Sequence, residues 1–280
     1  MPLTLRYVVA DVFTDKALTG NQLAVFTDGR EVDDETMQDL ARELALSETV
    51  FVLPAEADGH ARIRIFTPSS ELPFAGHPTL GSAFVLAQPL QLTEIRLETQ
   101  SGTVPVRLER EGARISFGWM TQPAFDWREY ELADELLAAL GVESELPVDL
   151  YRLGPSHVYV ALRSAEEVAA LRPNFNELAA FGAGINCFAS LDGHWKTRMF
   201  APGSGVAEDP ATGSAAGPLA VHLLRHGWIA SGDEIEIEQG AELGRPSRLY
   251  ARAVGTSTEI ERVEVGGSAV VVARGEFRLP

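Results

Sequence analysis

Two stretches decide how this chain folds: "ELPFAGHPTLGSAFVLA" at Glu71–Ala87 and "EDPATGSAAGPLAVHLL" at Glu208–Leu224. Each runs from an acidic residue through a proline to a glycine with a small or polar neighbour, then continues as an apolar run at helical spacing. Each predicts a strand, a loop and a helix that begins at Gly76-His77-Pro78 or at Gly213-Ser214. Pro78 suits a first helical turn, where its missing N–H costs nothing. A helix start leaves about four N–H groups without intrahelical partners and carries about half a positive charge, so it attracts anions. Glycine there lets a ligand approach the backbone closely. Taken singly, either pattern is punctuation before a helix. Their recurrence at equivalent places favours two helix starts that face one cleft across a pseudo-twofold axis and hold one carboxylate or enolate.

The flanks repeat as well. Laying "RIRIFTP" (62–68) over "KTRMFAP" (196–202) puts Phe66 on Phe200 and Pro68 on Pro202, and a three-residue slip then brings Pro73 onto Pro210 and Gly76 onto Gly213. Two pseudo-repeats of an α+β unit are the simplest explanation. In the first, "LRYVVADVFTDKALTGNQLAVFTD" predicts two strands joined by a tight connection at Thr19, Gly20 and Asn21. "DDETMQDLARELALSE" predicts a helix capped by Asp33 or Asp34, with Met37, Leu40, Ala41 and Leu44 on its apolar face. "TVFVLP", "ARIRIFTP", "EIRLETQSGTVPVRLERE" and "RISFGWM" read as strands. The polar, proline-marked "TQPAFDWREYEL", ahead of a helix at 132–140, is the best boundary and separates an N-terminal half, 1–122, from a C-terminal half, 123–267. In the second half "LYRLGPSHVYVAL", "INCFAS" and "WKTRMFAP" read as strands and "FNELAAFG" as a helix.

The bulk properties narrow the function. With 40 acidic against 23 basic residues and a net charge of −17, the chain repels phosphate backbones, and no Lys/Arg cluster breaks that pattern, so nucleic acid is an unsuitable partner. An anionic small substrate remains compatible, because a local site overrides the global field. At 280 residues and 45% apolar composition there is ample material for a core. No apolar run approaches the roughly 20 residues of a membrane span, and the start "MPLTLRYVVADVF" lacks a signal pattern, which predicts a cytoplasmic protein. The lone Cys187 excludes an internal disulfide and a cysteine-based zinc cage.

Candidates for proton transfer stand beside the two helix starts. His77 lies at the first, and Asp209, with Glu208, just before the second. Glu48 in "ALSETVFVLP" sits between a helix end and an apolar strand, where partial burial raises a carboxyl pKa and makes it useful as an acid or base. The plainer alternatives are a solvated loop glutamate, a capping histidine and an ordinary acidic residue ahead of a helix. Other motifs carry less. His222 and His226 in "HLLRH" have metal-ligand spacing, but no acidic third ligand is evident nearby, so they read as surface histidines. "GAGINC" has only two glycines of a dinucleotide fingerprint, and "GPSH" and "PGSG" lack the frame of a nucleophile elbow.

In order, "DVFTDKALTGNQLAVF", "LSETVFV", "RIFTPSSELPFAGHPTLG", "EDPATGSAAGPLA" and "GRPS" (244–247) resemble the phenazine-biosynthesis PhzF-like family, related to diaminopimelate epimerase. The likeness spans essentially the whole chain. It implies a diaminopimelate-epimerase-like α+β fold of two pseudo-symmetric halves, each a curled sheet around a central helix, with the active site in the cleft between them. It also implies that the final strand, 268–280, returns to the first half. Homodimers without metal or organic cofactor are the family's habit. By position, Glu48 corresponds to the principal acid/base, His77 and Asp209 to polar groups lining the reaction site, and Gly76, His77, Gly213 and Ser214 to the helix starts holding the substrate carboxylate. Asn21 corresponds to a position near the substrate. Thiol-dependent epimerases of this fold carry a cysteine pair at the helix starts, where this chain has His77 and Ser214.

The expected activity is therefore an isomerase that shifts a proton in a small cyclic or unsaturated carboxylic acid, with a dihydro-hydroxyanthranilate as the substrate of the founding activity. The alternatives are a cysteine-independent epimerase or racemase using Glu48 and Asp209, and a silent small-acid-binding protein.

Overall fold

An antiparallel pair opens the chain: β1 (Leu3–Val12) and β2 (Asn21–Phe26), in register from Tyr7↔Phe26 to Val12↔Asn21. The computed structural model describes residues 3–279 and divides into two units, Met1–Thr121 with Gly266–Pro280, and Gln122–Val265. The connection between β1 and β2 is longer than the tight turn the sequence predicts. Residues 13–20 form a loop in which Asp11 Oδ2 accepts the Leu18 amide at 2.7 Å and the Thr14 and Thr19 hydroxyls meet, with Phe13 and Leu18 at φ of 61° and 68°.

Helix α1 (Asp34–Leu44) starts where Asp33 Oδ1 accepts the Thr36 amide at 2.8 Å, and it buries Met37, Leu40 and Ala41. That face packs with Phe26, Phe51 and Phe66 in one apolar cluster. Strand β3 (Glu48–Leu53) runs parallel to β2, and β4 (Ala61–Phe66) antiparallel to β3. After the short β5 (Glu71–Leu72) comes α2 (Gly76–Leu90), buried from Gly76 through Phe84. It is apolar nearly all round, as a helix enclosed by a sheet must be, and it touches β1, β2, β3 and the three strands that follow it, β6 (Glu94–Thr99), β7 (Gly102–Glu111) and β8 (Arg114–Thr121).

The second unit begins with β9 (Asp126–Glu129), a strand inside the polar stretch read as a boundary; it pairs with β10 (Asp149–Arg152) across α3 (Ala133–Leu140). Strand β11 (Ser156–Ala161) is antiparallel to β10. Helix α4 (Ala165–Ala170), capped by Ser164, has no counterpart in the sequence reading. "FNELAAFG" gives only one turn, α5 (Phe175–Leu178), with a 3-10 turn behind it. Strands β12 (Gly184–Leu191), β13 (His194–Ala201) and β14 (Val206–Asp209) lead to α6 (Gly213–Arg225), buried from Gly213 to Leu223. A Cβ on Gly217 would lie 1.8 Å from Gln122 Oε1, so only glycine lets the Gln122 amide reach the Gly213 carbonyl, 2.8 Å from Nε2. Strands β15 (Glu234–Gln239), β16 (Ser247–Gly255) and β17 (Ile260–Gly267) follow, and β18 (Ala269–Leu279) pairs antiparallel with β1 in the first unit's sheet.

The internal repeat extends to strand pairing. In the first unit β2–β3 is parallel, β3–β4 antiparallel and β4–β6 parallel with Arg62↔Glu98; in the second β11–β12 is parallel, β12–β13 antiparallel and β13–β15 parallel with Lys196↔Glu238. Arg64 makes a two-nitrogen bond to Glu71 and lies 5.1 Å over Phe66; Arg198 does the same to Glu208 and lies 4.9 Å over Phe200. The aligned residues thus make the same contacts in each unit. Among the described residues, no helix is long and apolar enough to cross a membrane.

Candidate active site

In the first unit, the β2–β3 pairing and the start of α2 bring three of the expected residues together. Glu48 is the first residue of β3, beside Leu23 of β2, and its side chain is only 15% exposed. His77, second in α2, is buried, with Nε2 3.4 Å from Glu48 Oε2, and Nδ1 3.3 Å from Asn21 Nδ2 at the head of β2. Burial pushes His77 down to about 3, against a smaller upward pull from the Gln22 backbone, so its imidazole is neutral at pH 7. A carboxylate within reach of a neutral imidazole is suited to passing a proton. Beside them, the N-cap residue of α2, Ala75, has no side chain to occupy the first-turn amides of Gly76 and His77.

The second unit gathers the remaining candidates. Asp209, at the end of β14, is buried and accepts the Thr212 hydroxyl at 2.6 Å. Thr212 is the N-cap of α6, yet its side chain turns to Asp209 and makes no cap to the first turn, so Gly213 and Ser214 present their amides as the α2 start does. Gln239 of β15 holds this corner: Nε2 donates to the Asp209 carbonyl at 2.8 Å and to Thr212 Oγ1 at 3.0 Å, and Oε1 accepts the Thr212 amide at 3.2 Å. Ser214 Oγ lies 3.0 Å from Nε2 of buried His157. Neither Gln239 nor His157 was singled out from sequence. His157 had one available signal, as the polar residue that opens the apolar run "VYVAL".

The histidine pair in "HLLRH" needs correction. His222 is fully buried, not on the surface, and an acidic group does stand by: Asp149 of β10, 3.4 Å from His222 Nδ1 and 3.0 Å from His226 Nε2. The three ligand atoms lie within 4.8 Å of one another. Arg225 Nη1 also sits 2.6 Å from the same Asp149 Oδ2, so a guanidinium already neutralises this carboxylate. Burial opposes ionisation of Asp149, but His222, His226 and Arg225 prevail and hold it down to about 2.

A family model described as "Phenazine biosynthesis-like protein" matches residues 10–275. The chain belongs to this phenazine biosynthesis-like family. It is 50% identical over 276 residues to trans-2,3-dihydro-3-hydroxyanthranilate isomerase of Pseudomonas aeruginosa, covering 98% of this chain and 99% of that protein. The protein of the same name from Pseudomonas chlororaphis is 48% identical over the same length. Among solved structures, a PhzF-family phenazine biosynthesis protein of Bacillus anthracis superposes with a TM-score of 0.85 at 25% identity over 98% of this chain and 99% of that one. A hydroxyproline epimerase from Agrobacterium vitis, at 12% identity and a TM-score of 0.72 over 99% and 93%, shares the fold. The fold is accordingly α+β and epimerase-like, and this member of the phenazine biosynthesis-like family is an isomerase of a small molecule.

Proposed function

We propose that the chain isomerises trans-2,3-dihydro-3-hydroxyanthranilate by a cofactor-independent proton shift, with Glu48 as the principal acid/base. The approach of Glu48 Oε2 to His77 Nε2, 3.4 Å within a buried corner, is the observation that carries this reading. Glu48 takes a proton from carbon, and a proton returns at another carbon. Each unit offers a helix start suited to an anion, Gly76–His77 in the first and Gly213–Ser214 in the second, and such amides would bind a substrate carboxylate or stabilise the negative charge that grows in the ring. His77 and Asn21 in the first unit and Asp209 in the second are the further polar groups assigned to substrate contact. The substrate choice is supported by relatives named trans-2,3-dihydro-3-hydroxyanthranilate isomerase, among them one at 50% and one at 48% identity.

A thiol-based epimerisation has no support in this chain. Cys187 is buried on β12, and burial pushes its thiol up to about 12, away from the thiolate form. A cytoplasmic homodimer is the form proposed for the working enzyme, and light scattering on the purified protein measures the oligomeric state.

The assignment is tested by incubating trans-2,3-dihydro-3-hydroxyanthranilate with the protein and following it by proton NMR. Conversion to a constitutional isomer is expected. A stereoisomer as product would indicate the epimerase alternative, and tight binding without turnover would indicate a silent binder.

A further inference from the structure

We propose that His157 is a positioning residue of the reaction: its Nε2–H donates to Ser214 Oγ and thereby leaves the Ser214 hydroxyl proton to bind the anionic substrate. This rests on the reading above, in which Ser214 helps hold a carboxylate at the start of α6.

The polarity follows from Asn186. His157 is second in β11 and Asn186 third in β12, and the parallel pairing His157↔Gly184 sets the Asn186 amide beside the imidazole. Asn186 Nδ2 lies 3.1 Å from the Gly184 carbonyl and 3.3 Å from the Val158 carbonyl, which fixes the NH₂ end of the amide on that side. The same nitrogen is 3.5 Å from His157 Nδ1. An amide nitrogen offers only protons, so Nδ1 faces it as a lone pair, and the single ring proton is carried by Nε2. Burial, which pushes the imidazole down to about 4, keeps it from taking a second proton at pH 7. Nε2 therefore donates across the 3.0 Å to Ser214 Oγ.

A serine hydroxyl that accepts this bond keeps its own proton to give. Among the described residues His157 is its hydrogen-bond partner, so nothing in the second unit competes for that proton. The opposite tautomer would draw the proton into the imidazole and turn an oxygen lone pair toward an incoming anion. Gly184 leaves room for the ring: a Cβ there would stand 2.9 Å from Nδ1 and 3.2 Å from Met199 Sδ.

The resting protein, labelled with ¹⁵N-histidine, decides the tautomer by long-range ¹H–¹⁵N correlation at pH 7. An Nε2–H ring with bare Nδ1 is expected at His157; an Nδ1–H ring or an imidazolium overturns the proposal. Kinetics then separate positioning from packing. Ser214→Ala is expected to lower kcat/KM about 10²-fold, as loss of one oxyanion donor does, and His157→Leu about tenfold or more. In the Ser214→Ala background, His157→Leu should add less than about twofold, because its effect passes through the hydroxyl. His157→Gln, which keeps an N–H near the Nε2 place, should recover most of the loss. Full additivity, or no rescue by a folded Gln variant, would refute it. Wild-type turnover is the control: its absence removes the isomerase reading, while the tautomer still decides the inference.

Discussion

Glu48 Oε2 and His77 Nε2 stand 3.4 Å apart, one on the first residue of a strand and the other on the second residue of the helix enclosed by that strand's sheet. Neither position is a loop position free to drift. Parallel pairing with β2 fixes Glu48, and burial of the α2 start fixes His77, so the two groups are pre-organised.

Glu48→Gln keeps the shape and removes the base, so kcat should fall by about 10²–10⁴-fold with little change in stability. Circular dichroism and urea unfolding beside the kinetics check this. A folded Gln variant with full turnover would contradict the assignment.

Acid should weaken the fold earlier than carboxylate titration alone does. His77 and His157 ordinarily titrate at 6.5, but in the folded chain burial lowers them to about 3 and about 4. The unfolded chain therefore binds protons first. The full contribution is present above about pH 6.5 and declines as pH falls toward 4, by about 1.4 kcal/mol per pH unit for each histidine. Urea midpoints between pH 7.5 and 5 measure the slope, and His77→Gln should make it shallower by one histidine's share.

The duplicated Arg–Glu pairs should differ in consequence. Arg198 and Glu208 are 6% and 7% exposed, against 14% and 23% for Arg64 and Glu71. Glu208→Ala strands a buried guanidinium and should cost about 3 kcal/mol or more. Glu71→Ala leaves Arg64 with Asp34 and some solvent, and should cost about 1 kcal/mol. Equal losses in urea unfolding would contradict this ordering.

Thiol reagents should leave the native enzyme active. Cys187 is fully buried with its thiol pushed up to about 12, so modification should await unfolding by denaturant. Rapid inactivation of folded protein by an alkylating agent would show a reactive thiol.

Much of this was legible in local sequence, because it is written in local pattern. Asp33 or Asp34 announces α1, with Asp33 the cap the structure shows, the Gly-His-Pro and Gly-Ser starts announce α2 and α6, and the alignment of 62–68 with 196–202 anticipates strands that pair alike. What escaped depends on partners distant in the chain. The His222–His226 pair read as surface because Asp149, some seventy residues earlier, supplies the buried counter-charge. His157 carries no mark of its partners in the local sequence because Ser214 and Asn186 meet it only through the β11–β12 register and the seat of α6. The β1–β2 connection is longer than local pattern suggests, because Asp11 and the Thr14–Thr19 contact hold eight residues where Gly20 suggests a tight turn.

The most direct test of the central claim is proton NMR of trans-2,3-dihydro-3-hydroxyanthranilate in D₂O with wild-type protein and with Glu48→Gln. Rapid isomerisation with deuterium entering carbon is expected in the wild type, and loss of both in the variant. Isomerisation that proceeds equally well with Glu48→Gln would contradict that claim.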